Sequence, residues 1–317
     1  MLARFYSSSG DAQAVARCVV PARVLPAAVH TPLKRVEPAR GMPSIWQNAN
    51  THALDGIVAD INIGNRVMLD VDDPYFDVDE FGAYSEQQAV AHRECLQIAD
   101  GVIVTNDALA AAYEGKHDNI VVIPTCVDVA DWQFGRQLNH LDGKLRIGYA
   151  AGGSHQPDAP LVAGALARLS EHPDVIIEFI GSFDPGWDFK FKHYPALPYP
   201  AYKSLVSTWA IALAPLVESD LNRTRSDLKV LDYGISCAAP IVTPFGPYEH
   251  LVADGVVLGA SGEDEWYEAL RDLVEHDDLR SEVALTAFNY CRVERHPANQ
   301  RTAYLDALGL RRSYSRV

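Results

Sequence analysis

Asn222-Arg-Thr-Arg-Ser-Asp-Leu-Lys-Val-Leu-Asp-Tyr-Gly234 is the stretch on which the reading of this chain turns. It follows an apolar strand signal, Ile211 to Leu216, and precedes a second, Pro240 to Thr243. Read as a helix from Thr224 to Ile235, it carries Arg225, Lys229 and Asp232 on one stripe, by i, i+4 and i, i+3 spacing. Two cations and a carboxylate then lie at a strand-to-helix junction, where an open α/β sheet binds its ligands. Cations and free helix N–H groups suit a diphosphate. A carboxylate one turn further on suits a ribose diol. The pattern implies a nucleotide-diphosphate ligand. Charges at this spacing also form solvated helix faces. The buried character of both flanking strands, and a loop from Val217 to Arg223 long enough to wrap a ligand, favour the binding reading.

Outward from this segment, strands alternate with helices. In the second half, strands are expected at Leu145–Ala150, Val175–Ile180, Ile211–Leu216 and Pro240–Thr243. Helices are expected at Ala159–Ser170, Tyr202–Ser207, Thr224–Ile235 and Glu263–Glu275. A long helical tail runs from about Leu279 to Leu308, interrupted near Pro297. In the first half, Arg66–Val71, Gly101–Thr105 and Ile120–Ile123 read as strands, and Ser85–Ile98 and Asp107–Tyr113 as helices. Asp55 to Asn62 reads as a short helix or a strand. Pro21 to Pro43, with its prolines, reads as loop with short extended pieces. Val127 to Lys144 is polar and breaks the alternation. The expected fold class is α/β, two doubly wound Rossmann-like domains facing across a cleft. The expected domains are residues 1–142 on the acceptor side, abbreviated; 143–290 for the nucleotide; and 291–317 as a returning helix.

Composition narrows the classes. The 317 residues are 48% hydrophobic and 22% charged, as in ordinary globular proteins. No apolar run reaches the ~18 residues of a membrane span. The N-terminal residues lack a signal-peptide layout, so a cytoplasmic protein is expected. Five scattered cysteines have no metal-ligand spacing, which predicts reduced thiols and no structural zinc. The net charge of −15 argues against a broad nucleic-acid surface, though not against a local basic groove.

Three further motifs bear chemistry. Gly152-Gly153-Ser154-His155 ends the first strand of the second half; adjacent glycines let a backbone approach a ligand, or simply make a tight turn. Asp158 reads as a cap for the next helix, with Pro160 in its first turn. Asp70-Val-Asp72-Asp73 follows a strand. It reads as a metal site, as a phosphatase centre with Asp70 as nucleophile and Asp72 as acid/base, as a wall contacting an acceptor hydroxyl, or as a turn cluster. The acceptor wall is preferred over the phosphatase, because no partner set for the latter is found. His92 reads as a satisfied, half-buried histidine. Phe245-Gly-Pro-Tyr248-Glu249 makes a turn at the same sheet edge as Gly152, with Glu249 either reaching a sugar hydroxyl or capping.

With these residues quoted, the chain resembles the retaining nucleotide-sugar glycosyltransferases with the two-Rossmann-domain GT-B fold, family 4 in particular. The likeness spans about Gly101 to Leu308 and is strongest from Leu145 to Leu258. It rests on Ile147 to Ser154, Ala212 to Leu216, Arg225 to Tyr233 and Ala239 to Val242. The resemblance implies a donor site around Gly152, Gly153, Arg225, Lys229 and Asp232. Ser154, Ser226 and Tyr248, beside these in the sequence, are added as donor-binding candidates, and so is His155, which either meets the ligand or is merely exposed. Arg225 and Lys229 would neutralise the diphosphate and Asp232 would hold the ribose. The acceptor side does not carry over from the family; there the acceptor-wall reading of the carboxylate cluster assigns Asp72 or Asp73 to orient the acceptor. The resemblance also implies that no metal or other cofactor is needed, and that the final helix returns to the first domain. The family's paired glutamates, seven residues apart between them, fall here on Thr224 and Asp232. The chain's trimmed layout resembles phage-type members, which adds hydroxymethylated DNA to the acceptors of interest beside polysaccharides, small molecules and proteins. A non-catalytic nucleotide-sugar-binding subunit is the alternative expectation.

Overall fold

The computed structural model describes residues 3–7, 11–25, 28–32, 38–48, 51–77, 85–132 and 142–310. Parts of two expected loops, within Pro21–Pro43 and Val127–Lys144, lie outside the described residues. The chain divides by its contacts into two units. Unit 1 comprises Met1–Cys126, Thr224–Ser226 and Arg295–Val317; unit 2 comprises Val127–Arg223 and Asp227–Glu294.

Unit 1 holds a six-stranded, fully parallel sheet. Its strands are β1 (Ala3–Ser7), β2 (Ala28–Pro32), β3 (Ser44–Gln47), β4 (Val67–Asp70), β5 (Gly101–Val104) and β6 (Ile120–Val122), in the order β2-β1-β3-β4-β5-β6. From the sequence no strand is expected before Arg66, apart from short extended pieces in Pro21–Pro43 and the ambiguous segment at Asp55. The first 47 residues supply three of the six strands. Pro21 does not break structure either: it lies inside a continuous helical run from Ala12 to Val24, directly after the π-helical turn Val15–Val19, a local widening of the helix. The ambiguous segment at Asp55 is helical, within Thr51–Asn62. Tyr6, Trp46, Val67, Leu69 and Val102 face one core. Phe5, Ile45, Met68 and Ile103 face the other, which the C-terminal residues Tyr304, Leu305 and Leu308 complete. A parallel sheet must be covered on both faces, and here the chain's two ends meet to cover one of them.

Unit 2 is a second six-stranded parallel sheet. Its strands are β7 (Leu145–Ala151), β8 (Val175–Gly181), β9 (Lys192–Tyr194), β10 (Ile211–Ala214), β11 (Ala239–Val242) and β12 (Leu258–Gly259). The order β12-β11-β10-β7-β8-β9 is the dinucleotide-fold order, with its reversal between β7 and β10. Side chains alternate across β7. Ile147 and Tyr149 enter one core, with Leu166, Trp266 and Leu270. Ala150 enters the other, with Trp209 and Tyr233. Gly148 lies between them because Trp209 covers it: a Cβ there would come within 1.9 Å of the indole.

The opening segment is not one helix. A short helix, Asp220–Thr224, ends, and a second, Leu228–Ile235, begins after Asp227. Arg225 therefore sits between helices and shares no stripe with Lys229. The tail follows its expected course, with helices at Asp277–Val293 and Arg301–Ala307 and a 3₁₀ turn from Pro297 between them. Among the described residues no helix is long and apolar enough to cross a membrane. All five cysteines are free and buried.

Candidate functional site

The crevice where strand order reverses is the place an open parallel sheet offers a ligand, and in unit 2 that is the carboxyl edge of β7 and β10. β7 leads through Gly152 into a 3₁₀ turn, Gly153–Asp158. Gly152 and Gly153 are exposed. A Cβ on Gly152 would meet nothing within 4 Å, and one on Gly153 only the Ser182 hydroxyl at 3.9 Å. Neither has the positive φ that would demand glycine. What the two glycines leave is bare, approachable backbone. Ser154 follows at the partly exposed start of the turn.

His155 is turned inward from this loop. Its Nδ1 lies 2.6 Å from Asp158 Oδ2, and its Nε2 lies 2.6 Å from Lys229 Nζ. An ammonium can only donate, so Nε2 is the acceptor and the Nδ1 proton points to Asp158. Asp158 is fully buried. Its Oδ1 also accepts from the Val217 N–H at 2.8 Å and from Asn222 Nδ2 at 3.2 Å. Lys229 is the second residue of the helix Leu228–Ile235 and keeps partial exposure. The structure thus brings together Gly152, Gly153, Ser154, His155 and Lys229. It adds Asp158 and Asn222, to which the sequence gives no place in the site. The signal was present as His-x-x-Asp, but Asp158 read as a helix cap.

The other expected residues lie elsewhere. Asp232 is only 2% exposed, and its carboxyl accepts from the Tyr199 hydroxyl at 3.2 Å. Burial pushes that carboxyl up to about 7, against hydrogen bonds from Tyr202 and Tyr199 and the nearby charges of Lys203 and Lys229. Asp232 is thus an interior group, and the ribose role expected of it finds no exposed carboxylate. Tyr248 is 2% exposed and packs in a core with Phe245 and Leu251, so its ring is spent on packing. Glu249 Oε1 accepts from the Gly246 N–H at 3.3 Å, which is the capping option.

Arg225 and Ser226 belong with unit 1. Arg225 Nη1 lies 3.8 Å from Asp73 Oδ2. Asn106 Nδ2 donates to the Arg225 carbonyl at 2.9 Å and to that of Thr224 at 3.2 Å. Ser226 Oγ accepts from Gln13 Nε2 at 3.3 Å. Asp72 is buried and accepts from the Tyr75 hydroxyl at 2.6 Å; burial raises its pKa. It is too enclosed to orient an acceptor, whereas Asp73 keeps some exposure. Asp70 takes a bidentate fork from Arg17, at 2.9 and 2.7 Å, with both side chains wholly buried. Arg17 Nη1 also donates to the Ile123 carbonyl at 2.6 Å, tying the ends of β4 and β6. A nucleophile needs a free, approachable oxygen, so the phosphatase reading of Asp70 fails on geometry. His92 is satisfied, as expected, and fully rather than half buried, with Nε2 2.9 Å from the Tyr113 hydroxyl.

No protein-family model matches this sequence, and no curated protein does. Solved structures do match in fold. Anabaena HepE, in its complex with UDP and glucose, gives a TM-score of 0.68 at 12% identity, over 98% of this chain and 99% of that one. TarM gives 0.62 at 13% identity, covering 87% of this chain and 56% of TarM, so this chain spans little more than half of TarM's length. The trehalose-6-phosphate synthase OtsA gives 0.58 at 12% identity, over 84% of this chain and 72% of that one. All three are GT-B glycosyltransferases. The likeness is one of fold: two doubly wound parallel-sheet units of the GT-B type.

Proposed function

We propose that unit 2 binds a nucleotide-diphosphate sugar at the β7–β10 crevice and that the chain transfers the sugar to an acceptor hydroxyl. One observation carries the reading. Two glycines with open space above them lie in the same turn as the partner of a fixed cation, Lys229. Bare backbone and an anchored ammonium at a sheet switch point suit a diphosphate. HepE was solved with UDP-glucose, which makes that the first donor to test.

The chemistry proposed is transfer with retention. The acceptor oxygen bonds to the anomeric carbon on the face from which the diphosphate departs. The anomeric C–O bond breaks with its electron pair left on the phosphate oxygen, which takes the acceptor's proton. Lys229 stabilises the charge that gathers there, and in this reading it replaces a divalent metal. On unit 1, Asp73 is assigned to the acceptor hydroxyl. The acceptor itself is left open among saccharide, small-molecule, protein and modified-DNA hydroxyls; the charge of −15 weighs against DNA.

The test is titration of UDP into the full chain, with release of UDP from UDP-glucose measured in parallel. Lys229→Ala is expected to weaken UDP binding by about 10- to 100-fold, the worth of a hydrogen bond to a charged group. Equal affinity and turnover in the variant would sink the assignment. A second reading, a binding subunit without turnover, is favoured by Thr224 standing where the family pattern has a glutamate. It predicts UDP binding with no sugar release on any of a broad panel of acceptors.

A further inference from the structure

We infer that Asp158 and His155 are positioning residues that set the Lys229 ammonium at the donor's diphosphate, an inference that rests on the donor reading above. The bland role for Asp158, capping the helix Pro160–Leu169, does not describe its bonds. That helix has Ala159 as its N-cap residue, with no side-chain cap. Asp158 instead receives His155 Nδ1, the Val217 N–H and Asn222 Nδ2. These donors come from the turn after β7, the loop after β10 and the helix Asp220–Thr224. One carboxylate therefore pins both sides of the point where strand order reverses.

A carboxylate with no exposure is stable only when paired and hydrogen-bonded. Three donors meet that need, and they also fix direction. Because the Nδ1 proton faces Asp158, the lone pair of Nε2 is left for Lys229. A lysine ammonium sits on a flexible four-carbon stem and carries three donors. Its bond to His155 at 2.6 Å holds it in one place. The same 3₁₀ turn, Gly153–Asp158, includes Gly153 and directly follows Gly152. Asp158 thus fixes the cation and the bare backbone together, in the manner of outer groups that orient a binding group they surround.

The consequence is specific to phosphate. Loss of the network should weaken the hold on a diphosphate and leave base and ribose contacts alone. The experiment titrates UDP and uridine separately into the full chain and into Asp158→Asn, His155→Ala and His155→Gln, each checked for folding by its melting curve. Expected is a fall of about 10-fold or more in UDP affinity for Asp158→Asn and His155→Ala, with uridine affinity unchanged. His155→Gln, whose amide oxygen can accept from Lys229, should recover part of the loss. If Asp158→Asn does not fold, His155→Ala decides, since it leaves Asp158 its bonds from the Val217 N–H and Asn222. An unchanged ratio of UDP to uridine affinity overturns the inference, and so does an equal loss of both ligands. If the unaltered chain binds none of UDP, GDP and ADP, the donor reading falls first and the inference with it.

Discussion

Asp232 is the residue whose physics differs most from its expected role. An ordinary aspartate titrates near pH 4, as it does in an unfolded chain, and burial raises this one to about 7. Between those values the folded chain holds a proton that the unfolded chain has released. Stability from this group is therefore complete below about pH 4 and is lost as pH rises through about 7. Asp232→Asn keeps an acceptor for Tyr199 and removes the titration. The variant is expected to gain on the unaltered chain as pH rises, by a few kcal/mol at most and on the order of 1 kcal/mol after relaxation. Melting temperatures at about pH 5 and about pH 8 check it. A difference between the two proteins that does not change with pH would refute the prediction.

Glycines that look alike in the sequence do opposite work in their elements. Gly234 lies in the helix Leu228–Ile235, where a Cβ would come within 2.8 Å of Cys291 Sγ and 3.0 Å of the Ala287 carbonyl. It lets that helix pack closely on Asp277–Val293. Gly152 has open space above it. Gly234→Ala is expected to cost about 1–3 kcal/mol by overpacking while UDP affinity per folded molecule holds. Gly152→Ala is expected to leave stability unchanged or raise it by up to about 1 kcal/mol, yet weaken UDP binding. Denaturant unfolding with titration on the same samples tests the pair; the reverse pattern would refute the site. The same contrast explains what was legible. β10 and β11 are continuous apolar runs, β7 and β8 are apolar but for Arg146 and Glu178, helices lie between them and both sheet faces are covered, so sequence and structure agree there. β1, β2 and β3 show no such run, because each carries two polar residues in four or five (Arg4 and Ser7, His30 and Thr31, Ser44 and Gln47), and Pro26, Pro32 and Pro43 lie in or beside the last two. The i, i+4 spacing of Arg225 and Lys229 was real but misleading, since the chain leaves helical geometry at Arg225–Asp227. Asp158 reads from the sequence as a cap and not as a partner, because two of its three donors, in the loop at Val217 and the helix at Asn222, lie 59 and 64 positions further along the chain.

At the scale of the whole molecule, each unit carries its own pair of cores, and unit 1 is closed by residues from both ends of the chain. Tyr304 is fully buried, edge-on to Phe5 with ring centroids 5.8 Å apart. Truncating it removes a large aromatic from the face that β1, β3 and β4 share. Tyr304→Ala is expected to cost about 3–5 kcal/mol, and the loss should register in unit 1. Ligand should act in unit 2. With UDP at about one hundred times its dissociation constant, the bound form gains about 2.7 kcal/mol over forms that have released it. Amide hydrogen exchange read by peptide separates the two effects. Tyr304→Ala should speed exchange in Ala3–Ser7, Ser44–Gln47 and Val67–Asp70. UDP should slow it in Gly153–Asp158, at Val217 and in Leu228–Ile235, where local opening would break the Asp158 and Lys229 bonds. Faster exchange spread evenly over both sheets in Tyr304→Ala would mean that the cores are not energetically separate. Protection by UDP confined to unit 1 would move the donor off the β7–β10 crevice altogether.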